Sequence, residues 1–312
     1  MLRSGLVGRY VVEREIGRGG MASVLLARDV RHERLVAIKV FHPDAAAVIG
    51  RDRFRREIRI AGGLTHPGIL AVLDSGECPV DGESSLLWYA MPYVEGESLR
   101  ARLTRERQLP VGEAIDIARE VAEALDHAHR RGIVHRDVKP ENILLQDGRP
   151  LLADFGIARA IDPTDGQRLT STGITLGTPA YMSPEQALGE REIDARTDVF
   201  ALGCVLYEML VSEPRFTGPT PQAIIARTLS APPSAIAPVR PLAAAIEPVV
   251  LKALARTPAD RYATAREWPW RSLLGHRQPV PRAAQAAKNG WARADPDGYD
   301  PSSPGQRSRW PL

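Results

Sequence analysis

A chain of 312 residues, 44% hydrophobic and 25% charged, has the composition of a globular protein with room for one large domain or two lobes. No apolar run approaches the roughly eighteen residues needed to span a bilayer, and Met1 to Tyr10 lacks a signal peptide's apolar centre, so a cytoplasmic location is expected. Two cysteines, Cys78 and Cys204, are too few for a disulfide framework or a zinc site. The formal charge of +3 sits in residues 272 to 312, leaving residues 1 to 271 neutral and giving nucleic-acid binding no footing.

Strands are predicted over Tyr10 to Ile16, Val24 to Arg28 and Leu35 to Phe41, from their β-branched and aliphatic runs between turns. Arg51 to Leu64, polar with Phe54, Ile58 and Ala61 on one side, predicts a helix that His66-Pro67-Gly68 stops. Two more strands are expected at Ile69 to Asp74 and Leu86 to Met91. The first ninety residues therefore read as a small antiparallel sheet with one helix. From Gly112 the period becomes helical: Ile115, Ala118, Val121, Ala122, Leu125 and Ala128 share a face, and Gly132 follows the basic end of that helix. Val199 to Met209 and Pro248 to Ala255 predict two further helices. Residues 272 to 312, with six prolines and no period, read as a disordered basic tail.

The chemistry gathers in His135-Arg136-Asp137-Val138-Lys139-Pro140-Glu141-Asn142 and the Asp154-Phe155-Gly156 that follows. A proton-accepting carboxylate, a lysine, a carboxamide and a second carboxylate can together orient a hydroxyl, hold a transferring phosphoryl group and ligate magnesium. Upstream, Ile16-Gly17-Arg18-Gly19-Gly20-Met21-Ala22-Ser23-Val24 is a glycine-rich turn between strands, whose backbone can approach phosphate oxygens closely. Lys39 on the next strand can reach those phosphates. Only four of the 41 basic residues are lysines, so Lys39 and Lys139 mark sites that need a compact ammonium. Glu57, on the helix at 51 to 64, is the expected counter-charge of Lys39, since Asp52 near the helix start is better explained as a cap.

These motifs, in this order from about Tyr10 to Arg271, resemble the protein kinases, and among them the eukaryotic-like serine/threonine kinases of bacteria. The resemblance implies an α+β, two-lobed fold: a small antiparallel β-sheet N-lobe with one helix (about 10–91), a hinge (92–94) and a larger, mainly helical C-lobe (about 95–271). Residues 1–9 would form a leader. It implies ATP and Mg²⁺ as cofactors, with Mn²⁺ a possible replacement, and protein serines and threonines as substrates. Asp137 would take or orient the hydroxyl proton, Lys139 would neutralise the transferring phosphoryl, and Asn142 and Asp154 would bind the metal. Adenine would lie near Val24, Ala37 and Leu144, with Met91 as gatekeeper and Val94 supplying the hinge amide.

The resemblance further assigns Thr178 to Asp137 and Lys139, Glu185 to an ion pair with Arg261, and Asp198 to bracing the catalytic loop's backbone. The hydroxyl-rich stretch before Gly177 resembles an activation loop, with autophosphorylation expected at Thr170 or Thr172 and Arg136 receiving the phosphate. A homodimer could support that step in trans. Ala22 departs from the glycine pattern, Pro92 replaces a common acidic hinge residue, and Ser183 replaces an alanine. A nucleotide-binding scaffold without turnover is the alternative reading. The basic tail could bind a partner or be inert, and neither a membrane helix nor a sensor domain is read after the kinase region.

Overall fold

The computed structural model describes residues 8–79, 85–155, 179–231, 235–241 and 244–270. Five strands, β1 (Tyr10–Arg18), β2 (Ala22–Asp29), β3 (Arg34–Phe41), β4 (Asp74–Pro79) and β5 (Ser85–Pro92), form an antiparallel sheet in the order β1-β2-β3-β5-β4. Side chains alternate across its two faces. On β3, Val36, Ile38 and Val40 pack with Tyr10, Ala27, Trp88 and Ala90. Ala37 and Phe41 turn the other way, toward Phe54, Ile58, Tyr89 and Met91. Lys39 shares that second parity, so the pleat itself delivers its ammonium to the side where the site forms.

The N-lobe holds two helices rather than the one expected: α1 (Pro43–Ile49) and α2 (Arg51–Gly62). Pro43 at the first turn and three consecutive alanines favour α1. Gly50, at φ +74°, turns the chain between the two helices. Phe54 of α2 meets the Phe41 ring edge-on, with centroids 5.9 Å apart. The strand expected from Ile69 to Asp74 is displaced, since β4 begins only at Asp74. The apolar run at 69–73 is a connection whose amides are taken elsewhere: Leu70 N–H donates to Leu152 O and Leu73 N–H to Ala90 O.

The C-lobe contains α3 (Leu99–Glu106), α4 (Val111–His129), α5 (Pro184–Ala187), α6 (Arg196–Val211), α7 (Pro221–Ser230) and α8 (Glu247–Ala253). All six apolar positions of the expected α4 face are buried. On α6 every residue from Thr197 to Leu210 is buried, making it the spine of this lobe. Neither α3 nor α7 was expected. The first buries only Leu99 and Leu103, the second only Thr228, so the sequence carries little period there. A second sheet, β6 (Glu97–Ser98), β7 (Ile143–Gln146) and β8 (Arg149–Leu152), joins the hinge side to the segment carrying Asp154. The architecture is the two-lobed one: an antiparallel sheet first, mostly helices after.

The described residues fall in one compact unit, and the tail expected at 272–312 lies outside them. No described helix is long and apolar enough to cross a membrane.

Gly96 lies where the chain leaves the hinge, and a Cβ there would overlap the carbonyl oxygen of Leu145 on β7. Backbone cannot step aside as a flexible side chain can. Gly96→Ala should therefore destabilise the protein by about 1–3 kcal/mol in urea denaturation. Gly112→Ala, where a Cβ meets nothing within 4 Å, should be neutral or slightly stabilising.

Candidate active site

Asp198, in the first turn of α6, is fully buried. Its carboxylate accepts from the backbone N–H of His135 (2.8 Å) and of Arg136 (2.8 Å) and lies 2.7 Å from His129 Nε2. Burial would raise its pKa, but the His129 contact and these amides hold the carboxyl below the usual carboxylate range. Arg136 has φ +67°, a left-handed conformation unfavourable for a side chain of this size. The hydrogen bond from its amide to Asp198 fixes that conformation, and the next residue is Asp137.

His135 closes the loop from the other side. Its Nδ1 accepts from Asp137 N–H (3.2 Å), so Nε2 is the donor to Ala153 O (2.8 Å). Its ring meets the edge of Phe155 at a centroid distance of 4.6 Å. The stretch before Asp154 is thus tied directly to the stretch before Asp137. Asn142, in the short 3₁₀ helix Pro140–Asn142, donates its amide Nδ2 to Asp137 O (2.8 Å) and Oδ2 (3.0 Å). That leaves the Asn142 amide oxygen as the end available to a cation. Lys139 Nζ sits 2.7 Å from Asp137 Oδ2. Burial opposes the charge on Lys139, yet Asp137 outweighs it and raises the ammonium's pKa.

Across the cleft, Lys39 Nζ lies 2.6 Å from Asp154 Oδ2. Here the reading of Glu57 as its counter-charge needs correcting: Glu57 is buried on α2, but the carboxylate on the ammonium is that of Asp154. Asp154 has φ +66°, and Tyr89, which faces Lys39 across the β3–β5 ladder, donates its hydroxyl to Asp154 Oδ1. The turn after β8 and this hydroxyl together aim the carboxylate at β3. Burial would raise the Asp154 pKa, but Lys39 and Tyr89 hold it low. Burial, then Asp154, pushes the Tyr89 hydroxyl well above its ordinary value, so it stays a donor.

The glycine turn joins β1 to β2, with Gly19 N–H donating to Ala22 O at 2.8 Å. Gly17 faces Val24 in the ladder, while Ile16 and Met21 pack partly buried against the cluster below. Arg18 is turned outward onto Glu15 (2.7 Å), so it offers this cleft only its backbone. Ser23 Oγ lies 3.3 Å from His42 Nε2, and His42 Nδ1 lies 3.3 Å from Gly20 O. Behind the turn, Val24 pairs with Lys39 and Ala37 with Met91. Leu144 lies on β7, and Val94 follows β5 half-buried.

Glu185 and Arg261 make a two-pronged ion pair at 2.7 Å on each arm, both side chains buried. Arg261 also donates to the carbonyls of Ala255, Arg196 and Arg256. Ser183 caps α5 in a reciprocal box with Gln186, whose Nε2 donates to Arg136 O at 2.8 Å. Thr170, Thr172 and Thr178 lie outside the described residues. Sequence reasoning missed Tyr89, His42 and His129. For Tyr89 a signal existed: it stands two residues before Met91, on the same face of an alternating strand.

The donors present suit a hard cation on a nucleotide: Asp154 and Asn142 offer oxygens, and magnesium is commonly held by one or two carboxylates plus substrate phosphates. Among the described residues no group of three or more His, Cys, Asp or Glu could hold a metal by itself, so phosphate oxygens would complete the shell.

Arg261→Ala would leave Glu185 charged and buried, and should cost about 3–5 kcal/mol in chemical denaturation. Burial raises the Glu185 pKa, but the Arg261 hydrogen bonds outweigh this and depress it. A depressed carboxylate stabilises the fold above its unfolded pKa and loses that contribution as pH falls through the folded value. Stability of the wild type should therefore drop below about pH 4, and less steeply in Arg261→Ala.

The protein kinase domain family matches residues 10–268. Serine/threonine-protein kinase PknB of Mycobacterium tuberculosis is 44% identical over 273 residues, covering 85% of this chain and 42% of PknB. A probable serine/threonine-protein kinase of Streptomyces coelicolor is 41% identical over 269 residues, covering 84% of this chain and 39% of its own length. The chain thus spans less than half the length of these relatives. Among solved structures, the M. tuberculosis PknI kinase domain aligns with a TM-score of 0.63 at 34% identity, covering 84% of this chain and 93% of that one. The chain belongs to the protein kinase family, in its bacterial, eukaryotic-like serine/threonine branch.

Proposed function

We propose that the protein transfers the γ-phosphoryl group of ATP to serine and threonine hydroxyls of proteins, its own Thr170 or Thr172 among them. The observation that carries this is the Asp137–Lys139–Asn142 set, held by Asp198, with Asp154 tied beside it through His135 and Ala153 and meeting Lys39 across the cleft. The acceptor hydroxyl would give its proton to Asp137 as its oxygen bonds to the γ-phosphorus, and the β–γ bridging oxygen would leave with ADP. Lys139, beside Asp137, offsets the charge on the transferring group, and Lys39 serves the non-transferring phosphates. When bound, Mg²⁺ or Mn²⁺ neutralises charge on the phosphate oxygens. The chain's own contribution is position and fixed charge rather than covalent chemistry.

Autophosphorylation in trans, within a transient homodimer in the cytoplasm, is part of the same proposal. Retention of Lys39, Asp137, Asn142 and Asp154 together favours turnover over a nucleotide-binding scaffold. With Mg-ATP the purified protein should label itself and a generic protein substrate, and Asp137→Asn should lower the rate about 100-fold or more. Mass spectrometry should find phosphate between residues 157 and 178, and the initial rate of self-labelling should rise with the square of protein concentration. Equal labelling by wild type and Asp137→Asn would defeat the proposal.

A further inference from the structure

One arginine is shared between the catalytic loop and three other elements. Arg100, on α3, donates Nε to Glu141 (2.8 Å) and Nη1 to Glu208 of α6 (2.6 Å). Its Nη2 donates to Glu208 (3.3 Å) and to the Tyr181 hydroxyl, which in turn donates to Glu208 at 2.5 Å. Glu208 is only 2% exposed and so cannot be left unpaired cheaply.

These groups line a cavity of about 360 Å³, together with Arg107 and Ser212. Glu141 lies between Lys139 and Asn142 in the catalytic loop, and Tyr181 lies just beyond the segment containing Thr178. The cavity therefore adjoins the place where residues flanking an acceptor hydroxyl must run. Two carboxylates and a phenol converge there in a geometry made for a planar, forked guanidinium. The guanidinium already seated in it belongs to the protein.

We infer that Arg100 is a specificity-determining residue: a built-in occupant of an acidic substrate subsite that turns away peptides bearing a basic side chain at the position facing Glu141 and Glu208. A substrate arginine could enter only by displacing Arg100 from a buried carboxylate, and would meet Arg107 on the same wall. With Arg100 removed, two carboxylates face the cavity without their partner, and an arginine of the substrate can take its place. The inference rests on the protein-kinase reading above and deepens it to the class of peptide accepted.

The test is a panel of peptides with one acceptor residue and a single alanine, arginine or glutamate placed in turn at each flanking position. Binding is read by fluorescence anisotropy and transfer by kcat/KM, for wild type, Arg100→Ala and Arg100→Ala with Glu208→Gln. Wild type should gain nothing from arginine at any position. Arg100→Ala should prefer arginine over alanine at one position by about 10-fold or more, the size of a charge-assisted hydrogen-bond pair. The double variant should lose most of that preference. A folded Arg100→Ala with the wild-type profile would overturn the inference. So would a wild type that already selects arginine and loses the selection in Glu141→Gln, a result that decides the matter even if Arg100→Ala does not fold. Because binding is read apart from transfer, selective binding without turnover would count against the kinase reading and not against this one.

Discussion

The carboxylate of Asp198 is the point on which the rest of the site depends. It is fully buried on a helix whose residues from Thr197 to Leu210 are all buried, an arrangement that costs several kcal/mol unless its oxygens find donors. Three donors converge on it: the amides of His135 and Arg136, and the ring of His129 at the end of α4. Those contacts do more than neutralise a charge. They hold Arg136 in a left-handed conformation it would otherwise avoid, and so set the direction in which Asp137 leaves the loop. Through His135 the same brace reaches Ala153, next to Asp154. The carboxylates of Asp137, in the loop before β7, and Asp154, just after β8, are thereby registered against one helix.

Around that frame the charges are arranged in small closed sets. Asp137 is shared by Lys139 and Asn142, and Asp154 by Lys39 and Tyr89. In a chain that uses arginine almost everywhere, the lysines at both places fit a site where the cation must hand its donors from a carboxylate to a phosphate. Arginine takes the static duties: Arg261 locks Glu185 and three carbonyls, and Arg100 joins α3, the catalytic loop and α6.

Much of this was legible in the sequence, for identifiable reasons. The period of α4 and the alternation of β3 are local, and each states which side chains go inside. Asp198 and the pairing of Glu185 with Arg261 were legible only through the family resemblance, because residues so far apart carry no mutual local signal. What escaped was decided by tertiary geometry. The run at 69–73 has a strand's composition, but its amides are claimed by Leu152 and Ala90 before a regular ladder can form. The helix α1 is short and alanine-rich, with no wide apolar stripe to announce it. The partner of Lys39 turned on the backbone angle at Asp154 and on a tyrosine hydroxyl, neither of which a motif encodes.

The most direct measurement is the kinetic behaviour of Asp198→Asn, which keeps the side chain's shape but puts an N–H where one of the amides must be accepted. If Asp198 sets the catalytic loop, kcat for transfer from ATP should fall by about 100-fold, the effect of displacing a reacting group by about an ångström, while ATP affinity stays near the wild-type value. A folded Asp198→Asn protein with unchanged kcat would contradict the account.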